Sequence, residues 1–197
     1  MKKAIIGAGG FAREVRAQME EVNVPMFVDD VFYTTNSDNI KPMSELDIEK
    51  YQVIVAVGSP HDRAAIVSRL PLETNFFTFV HSSAIILGYD VEVGEGSIIC
   101  AGVIITTNIT IGKHSQLNLH TSIGHDCRIG DYFTTAPGVR ISGNNEIGSK
   151  VYFGTNSCTK EKLHIIDNST IGLQAGIVKS IEISGTYIGT PAKLLRR

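Results

Sequence analysis

Two histidines and an aspartate stand close together near the middle of the chain, in the stretch NLHTSIGHDCRIGD that covers residues 118–131. His120 and His125 are five residues apart, and Asp126 directly follows the second histidine. An imidazole titrates near neutral pH and can accept a proton from a reacting amine, while a neighbouring carboxylate holds the ring and favours its protonated form. Two histidines at this spacing are also candidate zinc ligands. These residues could therefore serve acid–base catalysis, bind a metal or simply form a polar surface, and the stretch alone does not decide among the three.

A second candidate site lies at the start of the chain. KKAIIGAGGFAREV is typical of a short apolar strand, a glycine turn and a helix that begins near Phe11. The N–H groups of such a turn and helix can bind phosphate. Asp29 and Asp30 end a second predicted strand, VPMFVDD, and Gly58 follows a third, YQVIVAVGSP. A nucleotide sugar, NAD or a tight turn without a ligand fits this pattern, although the unit is about half the size of a full dinucleotide fold, which disfavours NAD.

Two further elements complete this first part of the chain. HDRAAIVSRL predicts a helix, and NFFTFV predicts a last strand that leads into the second part. We therefore predict an α/β domain over residues 1–80, half of a Rossmann fold in its topology, that binds a nucleotide sugar. Residues 31–50 are rich in turn formers and indicate no specificity.

From His81 onward, an apolar residue recurs every six residues without any insertion up to Ile183. Fifteen of the eighteen residues in this phase are Leu, Ile, Val or Phe; the others are His81, Thr135 and Thr159. A period of six fits neither a helix nor the simple alternation of a strand. It predicts short extended pieces separated by bends, wound into a prism around a stacked aliphatic core.

The repeat units IGKHSQ, IGHDCR, IGDYFT, IGSKVY and IGLQAG resemble the hexapeptide repeat of the left-handed parallel β-helix acyltransferases. That resemblance implies an all-β domain over residues 81–197, with about six coils followed by a C-terminal tail. The left-handed winding is also implied by the resemblance. The closing segment YIGTPAK, residues 187–193, is similar to the ending of this family, which lies near the coenzyme A site.

Both parts together resemble the bacterial nucleotide-sugar N-acetyltransferases, also described as sialic acid O-acetyltransferase-like, over the full length. These act on the UDP-linked bacillosamine precursor, on GDP-perosamine or on dTDP-linked 4-amino-4,6-dideoxyglucose. The resemblance implies a cytoplasmic homotrimer of lipopolysaccharide or other glycan biosynthesis, with active sites between neighbouring subunits. It implies that acetyl-CoA is the cosubstrate and that the acceptor is the amino group of a nucleotide-linked amino-deoxysugar.

The resemblance also implies roles for individual residues. His125 is the expected general base and Asp126 its acidic partner, at a place where the family more often has Glu. Asn118 is expected to line the substrate site. The expected sugar-nucleotide residues are Gly9, Gly10, Phe11, Asp29, Asp30 and Gly58, and the expected acetyl-CoA residues are Thr134, Thr155 and Leu173. Phe11 and Thr134 stand where the family often has histidine. The Phe11 ring cannot replace an imidazole donor, and Thr134 weakens the expected coenzyme contact but leaves backbone contacts possible.

Direct attack of the amine on the thioester requires no acyl-enzyme, and a backbone N–H of the coil is the expected oxyanion donor. Three alternatives stay open: O-acetylation of a sugar hydroxyl, a zinc-dependent γ-type carbonic anhydrase that uses His120 and His125, and a non-enzymatic scaffold or sensor. In the anhydrases the third zinc ligand would fall on Ala84, and the nearest histidine, His81, is out of phase by three residues. We therefore expect no metal.

Composition excludes several other classes of function. The chain has 197 residues, 43% of them hydrophobic, a net charge of −2 and no basic run, which argues against nucleic acid as a partner. No window approaches the about 20 apolar residues of a membrane span. The first apolar run stops at Gly7, too early for a signal peptide. The three cysteines lack C-x-x-C spacing and are typical of reduced thiols in the cytosol.

Overall fold

The computed structural model describes residues 1–34 and 39–195. Its N-terminal part is a parallel sheet of four strands in the order β3-β2-β1-β4, with two helices. In chain order the elements are β1 Lys2–Ile6, α1 Gly10–Gln18, β2 Met26–Val28, β3 Ile40–Pro42, β4 Tyr51–Val55 and α2 Pro60–Arg69. Neither helix of the described chain is long and apolar enough to cross a membrane.

Strand β1 lies between β2 and β4 in the sheet, and side chains cover both of its faces. Ile5 packs in one cluster with Ala12 and Val15 of α1. Ala4 and Ile6 pack in a second cluster on the other face, which residues of α2 border. An uninterrupted apolar strand of this kind is typical of the centre of a parallel sheet. The predicted strands at β1, β2 and β4 and both predicted helices are confirmed.

The turn-rich stretch contains more structure than the sequence predicted. Strand β3 and the single-turn 3₁₀ helix Met43–Glu45 lie within residues 31–50, and a second single-turn 3₁₀ helix, Asp30–Phe32, overlaps the start of this stretch. These elements are too short for periodicity to reveal them. Residues 35–38 of the same stretch are outside the described part of the chain.

The rest of the chain forms a prism with three faces, each a ladder of short parallel strands. The first face contains Phe79–Val80, Ile98–Ile99, Gln116–Leu117, Thr134–Thr135, Tyr152–Phe153, Thr170–Ile171 and Thr186–Ile188, with Lys193–Leu194 added antiparallel. The second face contains Ile85–Ile86, Ile104–Ile105, Ser122–Ile123, Arg140–Ile141, Cys158–Thr159 and Gly176–Ile177. The third face contains Val91–Val93, Ile109–Ile111, Arg128–Ile129, Glu146–Ile147 and His164–Ile165.

The chain turns from face to face at three corners. The first corner joins the first and second faces, the second corner joins the second and third, and the third corner returns to the first face. From residue 108 to 174, every sixth residue except Gly138 is a non-glycine residue with φ between 53° and 59°, as at His120 and Asp126. Asn, Asp and Gly tolerate this left-handed conformation best, which accounts for their frequency at the corners.

The apolar phase of the repeat fills the prism, as predicted. Ile99, Ile105, Leu117, Ile123 and Phe153 belong to one buried cluster that runs along the axis. These parallel ladders and the two helices fit a left-handed β-helix acetyltransferase fold.

Two residues in the same phase, Leu87 and Ile183, are 66% and 65% exposed. They lie in the terminal coils, where the stack of coils ends and no further coil covers them.

Two threonines interrupt the aliphatic column without leaving unpaired hydroxyl groups. The Thr135 hydroxyl lies 2.8 Å from that of Thr121 and accepts the Asn118 N–H at 3.0 Å. The Thr159 hydroxyl accepts the Ser142 N–H at 3.0 Å. Both threonines therefore hold the backbone of a corner from inside the prism, as buried polar groups require.

The N-terminal sheet rests on the first face of the prism. Outward residues Ile98, Gln116 and Thr134 of that face are buried, and the Gln116 amide donates to the carbonyl of Val55 at 2.9 Å. On the other two faces, by contrast, outward residues such as Arg128 stay exposed.

Arg63 of α2 lies at the centre of this junction and is fully buried. Its guanidinium donates to the carbonyls of Val57 at 2.6 Å, His114 at 2.8 Å and Tyr132 at 2.9 Å, and to the Thr134 hydroxyl at 2.7 Å. Burial lowers the pKa of Arg63 to about 9, so that it remains charged at neutral pH. No carboxylate of the described chain forms a salt bridge with Arg63. The dipoles of the surrounding carbonyl groups therefore stabilise its charge.

Candidate active site

His125 projects from the second corner of the prism into solvent, as its place two residues after the buried Ile123 predicted. Its side chain is 59% exposed, and its Nδ1 lies 2.7 Å from Oδ2 of Asp126. Hydrogen bonds from His125 and then from Asn108 hold the pKa of Asp126 below its usual range. An ionised carboxylate can only accept, so His125 Nδ1 donates and Nε2 is left as the basic nitrogen. This is the tautomer that a general base needs.

The imidazole of His125 lies against Gly143, one coil further along the same corner. A Cβ added to Gly143 would lie 2.7 Å from both Cε1 and Nε2 of the ring, so only glycine leaves room for this position. The N–H of Gly143 has no acceptor among the described residues. A free backbone donor on the glycine that packs against the catalytic ring is suited to a developing oxyanion. Sequence reasoning missed Gly143, since the contact depends on the register between coils.

The corner around Gly143 is fixed by a residue inside the prism. Asn145 is fully buried and its amide donates to the carbonyls of Ser142 at 2.7 Å and Lys160 at 3.1 Å. Its Oδ1 accepts the N–H of Leu163 at 3.0 Å. These bonds leave the Gly143 backbone little freedom, which favours a preorganised donor.

A cavity of about 850 Å³ opens at the carboxyl ends of β1, β2 and β4. Gly9, Gly10, Phe11, Asp29 and Gly58 line it, so the structure brings together five of the predicted sugar-nucleotide residues. The volume lies within the range of about 300–1,000 Å³ that is usual for ligand sites. The remaining walls are mostly apolar and include Phe27 and Ile66.

The polar groups of this cavity fit an anionic ligand at one end. Gly9 precedes α1 without any side-chain cap, so the first N–H groups of the helix are open to the cavity. Gly7 has φ 118°, and a Cβ there would lie 2.9 Å from the carbonyl oxygen of Ala56, which makes glycine necessary for the turn. Arg69 adds a cation to the cavity, where it pairs with Asp29 at 2.9 Å. Sequence reasoning did not select Arg69.

Asp30, the second acid, is placed differently from Asp29. Its Oδ1 accepts from the N–H and the hydroxyl of Ser44, both at 3.2 Å, and it does not line the cavity. Its predicted contact with the sugar nucleotide therefore has no support from its position.

Three further predicted residues lie along the first corner. Asn118, Thr155 and Leu173 follow first-face strands, and Leu173 is exactly one coil of eighteen residues after Thr155. Thr155 and Leu173 are exposed and free to contact a ligand. The Asn118 Oδ1 accepts the N–H of Leu119 at 2.7 Å, and its amide NH₂ group has no partner among the described residues.

Thr134, the third predicted coenzyme residue, is buried in the junction beneath the N-terminal sheet. Its hydroxyl accepts from Arg63 at 2.7 Å and donates to the Gly58 carbonyl at 3.3 Å. This hydroxyl joins the two parts of the chain. Because the side chain is buried, it is not accessible for a contact with the coenzyme.

His120 lies on the first corner, with the strand Ser122–Ile123 between it and His125 on the second. Its ring rests on Gly102, whose added Cβ would be 2.5 Å from His120 Nδ1. Within residues 1–34 and 39–195, no group of three or more His, Cys, Asp or Glu side chains is placed to hold a metal ion. Within one chain the two histidines lie on different corners of the prism.

Comparison with known proteins agrees with the fold. Residues 2–70 match the model of the PglD N-terminal domain. Over 98% of its length, the chain is 27% identical to the GDP-perosamine N-acetyltransferase of Escherichia coli O157:H7, of which the alignment covers 96%.

Two solved structures superpose on nearly the whole chain. WeeI from Acinetobacter baumannii AYE is 29% identical with a TM-score of 0.90, and the match covers 99% of this chain and 100% of WeeI. The acetyltransferase domain of PglB from Neisseria gonorrhoeae FA1090, solved in complex with acetyl coenzyme A, is 25% identical with a TM-score of 0.87 and 98% coverage of each chain. By sequence and by fold, the chain is similar over nearly its whole length to hexapeptide-repeat sugar N-acetyltransferases.

Proposed function

We propose that this protein transfers the acetyl group of acetyl-CoA to the amino group of a nucleotide-linked amino-deoxysugar, with His125 as the general base. The observation that carries the proposal is the His125 ring on the second corner, with Nδ1 bound to Asp126 at 2.7 Å and Nε2 exposed. The relatives named as N-acetyltransferases and the acetyl-CoA complex of the PglB domain support this choice of reaction.

In the proposed reaction the sugar amine attacks the thioester carbonyl directly. His125 Nε2 accepts the proton that the amine loses as the new C–N bond forms. The carbonyl oxygen becomes negative, and the free N–H of Gly143 is the donor beside it. When the C–S bond breaks, the coenzyme leaves as a thiolate that takes up the proton from the imidazolium.

The neighbouring cysteine does not provide an acyl-enzyme route. Cys127 is fully buried, and its sulfur lies 3.3 Å from the carbonyl oxygen of Ser142. Burial raises the pKa of its thiol, whereas a nucleophilic cysteine needs an accessible thiolate. Direct transfer is therefore the mechanism that the corner favours.

The cavity beside the glycine turn is the proposed site of the nucleotide sugar. The open N-terminus of α1 and the Arg69 side chain would bind the diphosphate. The apolar walls of the cavity would contact the nucleotide base. The domain division at residue 80, half of a Rossmann fold followed by a β-helix, belongs to the same proposal. The first corner, with Thr155 and Leu173 exposed, is the proposed acetyl-CoA surface.

We further propose a homotrimer, because one chain alone separates the two halves of the site. The N-terminal sheet covers the first face of the prism, whereas His125 lies on the second corner, which is opposite that face. An N-terminal cavity can meet a His125 only if the two belong to different copies. A heterologous contact that closes after three copies satisfies this requirement.

The first experiment measures acetyl transfer to UDP-, dTDP- and GDP-linked 4-amino sugars, followed as thiol release from acetyl-CoA. His125→Ala is expected to reduce kcat about a hundredfold to ten-thousandfold while the oligomeric state is kept. His164→Ala is the matched control, since it removes another exposed histidine that faces a carboxylate, Glu146 at 3.7 Å, and should leave kcat unchanged. Wild-type turnover in His125→Ala removes this histidine from the mechanism.

The same assay separates the proposed reaction from its alternatives. Transfer to a sugar that carries a hydroxyl in place of the amine would favour O-acetylation. Bound zinc and a loss of activity in His120→Asn would favour the anhydrase. A protein without affinity for acetyl-CoA would favour the scaffold.

A further inference from the structure

The Asp126 carboxylate has a second partner besides His125. Its Oδ2 lies 2.7 Å from His125 Nδ1, and its Oδ1 accepts the Asn108 side-chain amide at 2.6 Å. Each carboxylate oxygen is therefore engaged by one donor. A carboxylate held at both oxygens cannot rotate without breaking one of these bonds.

Asn108 is in turn held by Arg128. One guanidinium nitrogen donates to the Asn108 backbone carbonyl at 2.8 Å, and the other donates to Asn108 Oδ1 at 2.9 Å. Because Arg128 occupies the amide oxygen, the amide NH₂ must face Asp126. Arg128 also donates to the Cys127 carbonyl at 3.1 Å, which ties it to the chain segment that carries His125.

The repeat brings these residues together. Asn108 and Asp126 are eighteen residues apart, which is one coil, and both have the left-handed conformation, with φ 53° and 59°. Their side chains therefore leave the second corner one above the other. Arg128 begins the next third-face strand and reaches back along the coil to Asn108.

We propose that Asn108 and Arg128 are positioning residues of the acetyl transfer, which hold the Asp126 carboxylate where it keeps His125 Nε2 directed at the substrate amine. Neither residue touches the reacting atoms; both act through Asp126. The inference rests on the proposed function and adds two residues to its site.

Electrostatics agree with the geometry. The amide dipole and the guanidinium direct positive charge at Asp126, so the carboxylate stays ionised and remains an acceptor for His125. An outer partner of this kind fixes ring orientation and tautomer, and losing one typically costs about tenfold to a hundredfold in function at comparable sites.

The test uses two substitutions at Asn108 that leave the backbone unstrained. Asn108→Gly removes the amide, and glycine accepts the left-handed conformation. Asn108→Asp keeps the shape of the side chain but replaces the donor by a negative charge next to Asp126. We expect kcat to fall about tenfold in Asn108→Gly and further in Asn108→Asp, while KM for both substrates is unchanged. The matched control is Asn168→Gly, at a third-corner asparagine with φ 59°, which should keep wild-type kcat.

A second comparison concerns the arginine. Lysine lacks the forked N–H groups of a guanidinium, so it cannot donate to both the backbone carbonyl and the Oδ1 of Asn108. Arg128→Lys should therefore lower kcat by about threefold to tenfold. Arg140→Lys is its control, since one Arg140 guanidinium nitrogen donates to the backbone carbonyl of His120 at 2.6 Å on the neighbouring corner, without a second bond to a side chain of the described residues. Unfolding midpoints of all variants show whether each one remains folded.

Coupling to Asp126 decides between positioning and mere structural support. In an Asp126→Gly background, Asn108→Gly should cost no further turnover, because the group through which it acts is gone. Equal losses in both backgrounds, or wild-type kcat in Asn108→Gly, overturn the inference. If His125→Ala is inactive while Asn108→Gly is unaffected, only this inference falls. If His125→Ala keeps full activity, the proposed function falls with it.

Discussion

At the scale of single residues, adjacency in the sequence made the central pair predictable. His125 and Asp126 are neighbours, and the six-residue phase alone indicates that His125 points outward. Partners that join the site from other coils, Gly143 at one coil above and Asn108 at one coil below, were not predicted. Their contacts depend on the register of the corners, which the repeat phase does not specify to within a hydrogen bond.

Gly143 gives a direct test of the geometry around the ring. In Gly143→Ala the new methyl group would lie 2.7 Å from His125 Nε2, so the imidazole must move away. We expect kcat to fall about tenfold to a hundredfold, because small displacements of a catalytic group have effects of this size. Steady-state kinetics measure the change, and an unaltered unfolding midpoint serves as the control. Wild-type kcat in this variant would show that the ring position is not critical.

At the scale of elements, both α-helices and the strands outside residues 31–50 followed from sequence pattern, but the junction between the two parts of the chain did not. A charged residue on α2 is normally predicted to be exposed. Arg63 is nevertheless fully buried, because carbonyls from two different parts of the chain converge on it. The same junction uses the hydroxyl of Thr134, the residue for which the family resemblance implied a coenzyme contact. No local pattern reveals which face of a prism another domain covers.

The junction also predicts a dependence of stability on pH. His114 is buried, with its ring stacked on Tyr132 at 5.3 Å, and burial followed by the charge of Arg63 lowers its pKa to about 4. In the unfolded chain a histidine has a pKa of about 6.5, so the unfolded state binds more protons between these two values. The free energy of unfolding should therefore fall by about 2 kcal/mol as pH decreases from about 6.5 to 4.

His114→Asn separates this contribution from the titration of carboxylates. Asparagine does not titrate and suits the left-handed conformation at this position, φ 54°. At neutral pH the variant should be less stable than wild type, because the ring contacts are lost. The difference should shrink as pH falls to 4 when both are followed by denaturant unfolding. A difference that stays constant would contradict the low pKa of His114.

At the scale of the whole molecule, the repeat predicted the β-helix and the glycine turn predicted the cavity. How these two parts face each other could not be predicted, because it depends on which face of the prism the N-terminal sheet covers. The structure places the cavity and His125 on opposite sides of one chain, and this separation is the reason for proposing a site shared by two copies. Outward Ile85 and Ile104 on the second face are 48% and 37% exposed, which is consistent with a face that another copy covers.

The most direct measurement of the central claim is subunit complementation. One inactive variant is His125→Ala, and the other is Gly9→Trp, which fills the cavity but keeps His125. The two are unfolded together in equal amounts and refolded, and acetyl transfer is compared with that of each variant refolded alone. If every site takes its cavity from one copy and His125 from another, about a quarter of the sites combine two intact halves, and about a quarter of wild-type activity should return. If the mixture stays as inactive as its components, the cavity and His125 do not form a site between copies, and the account is contradicted.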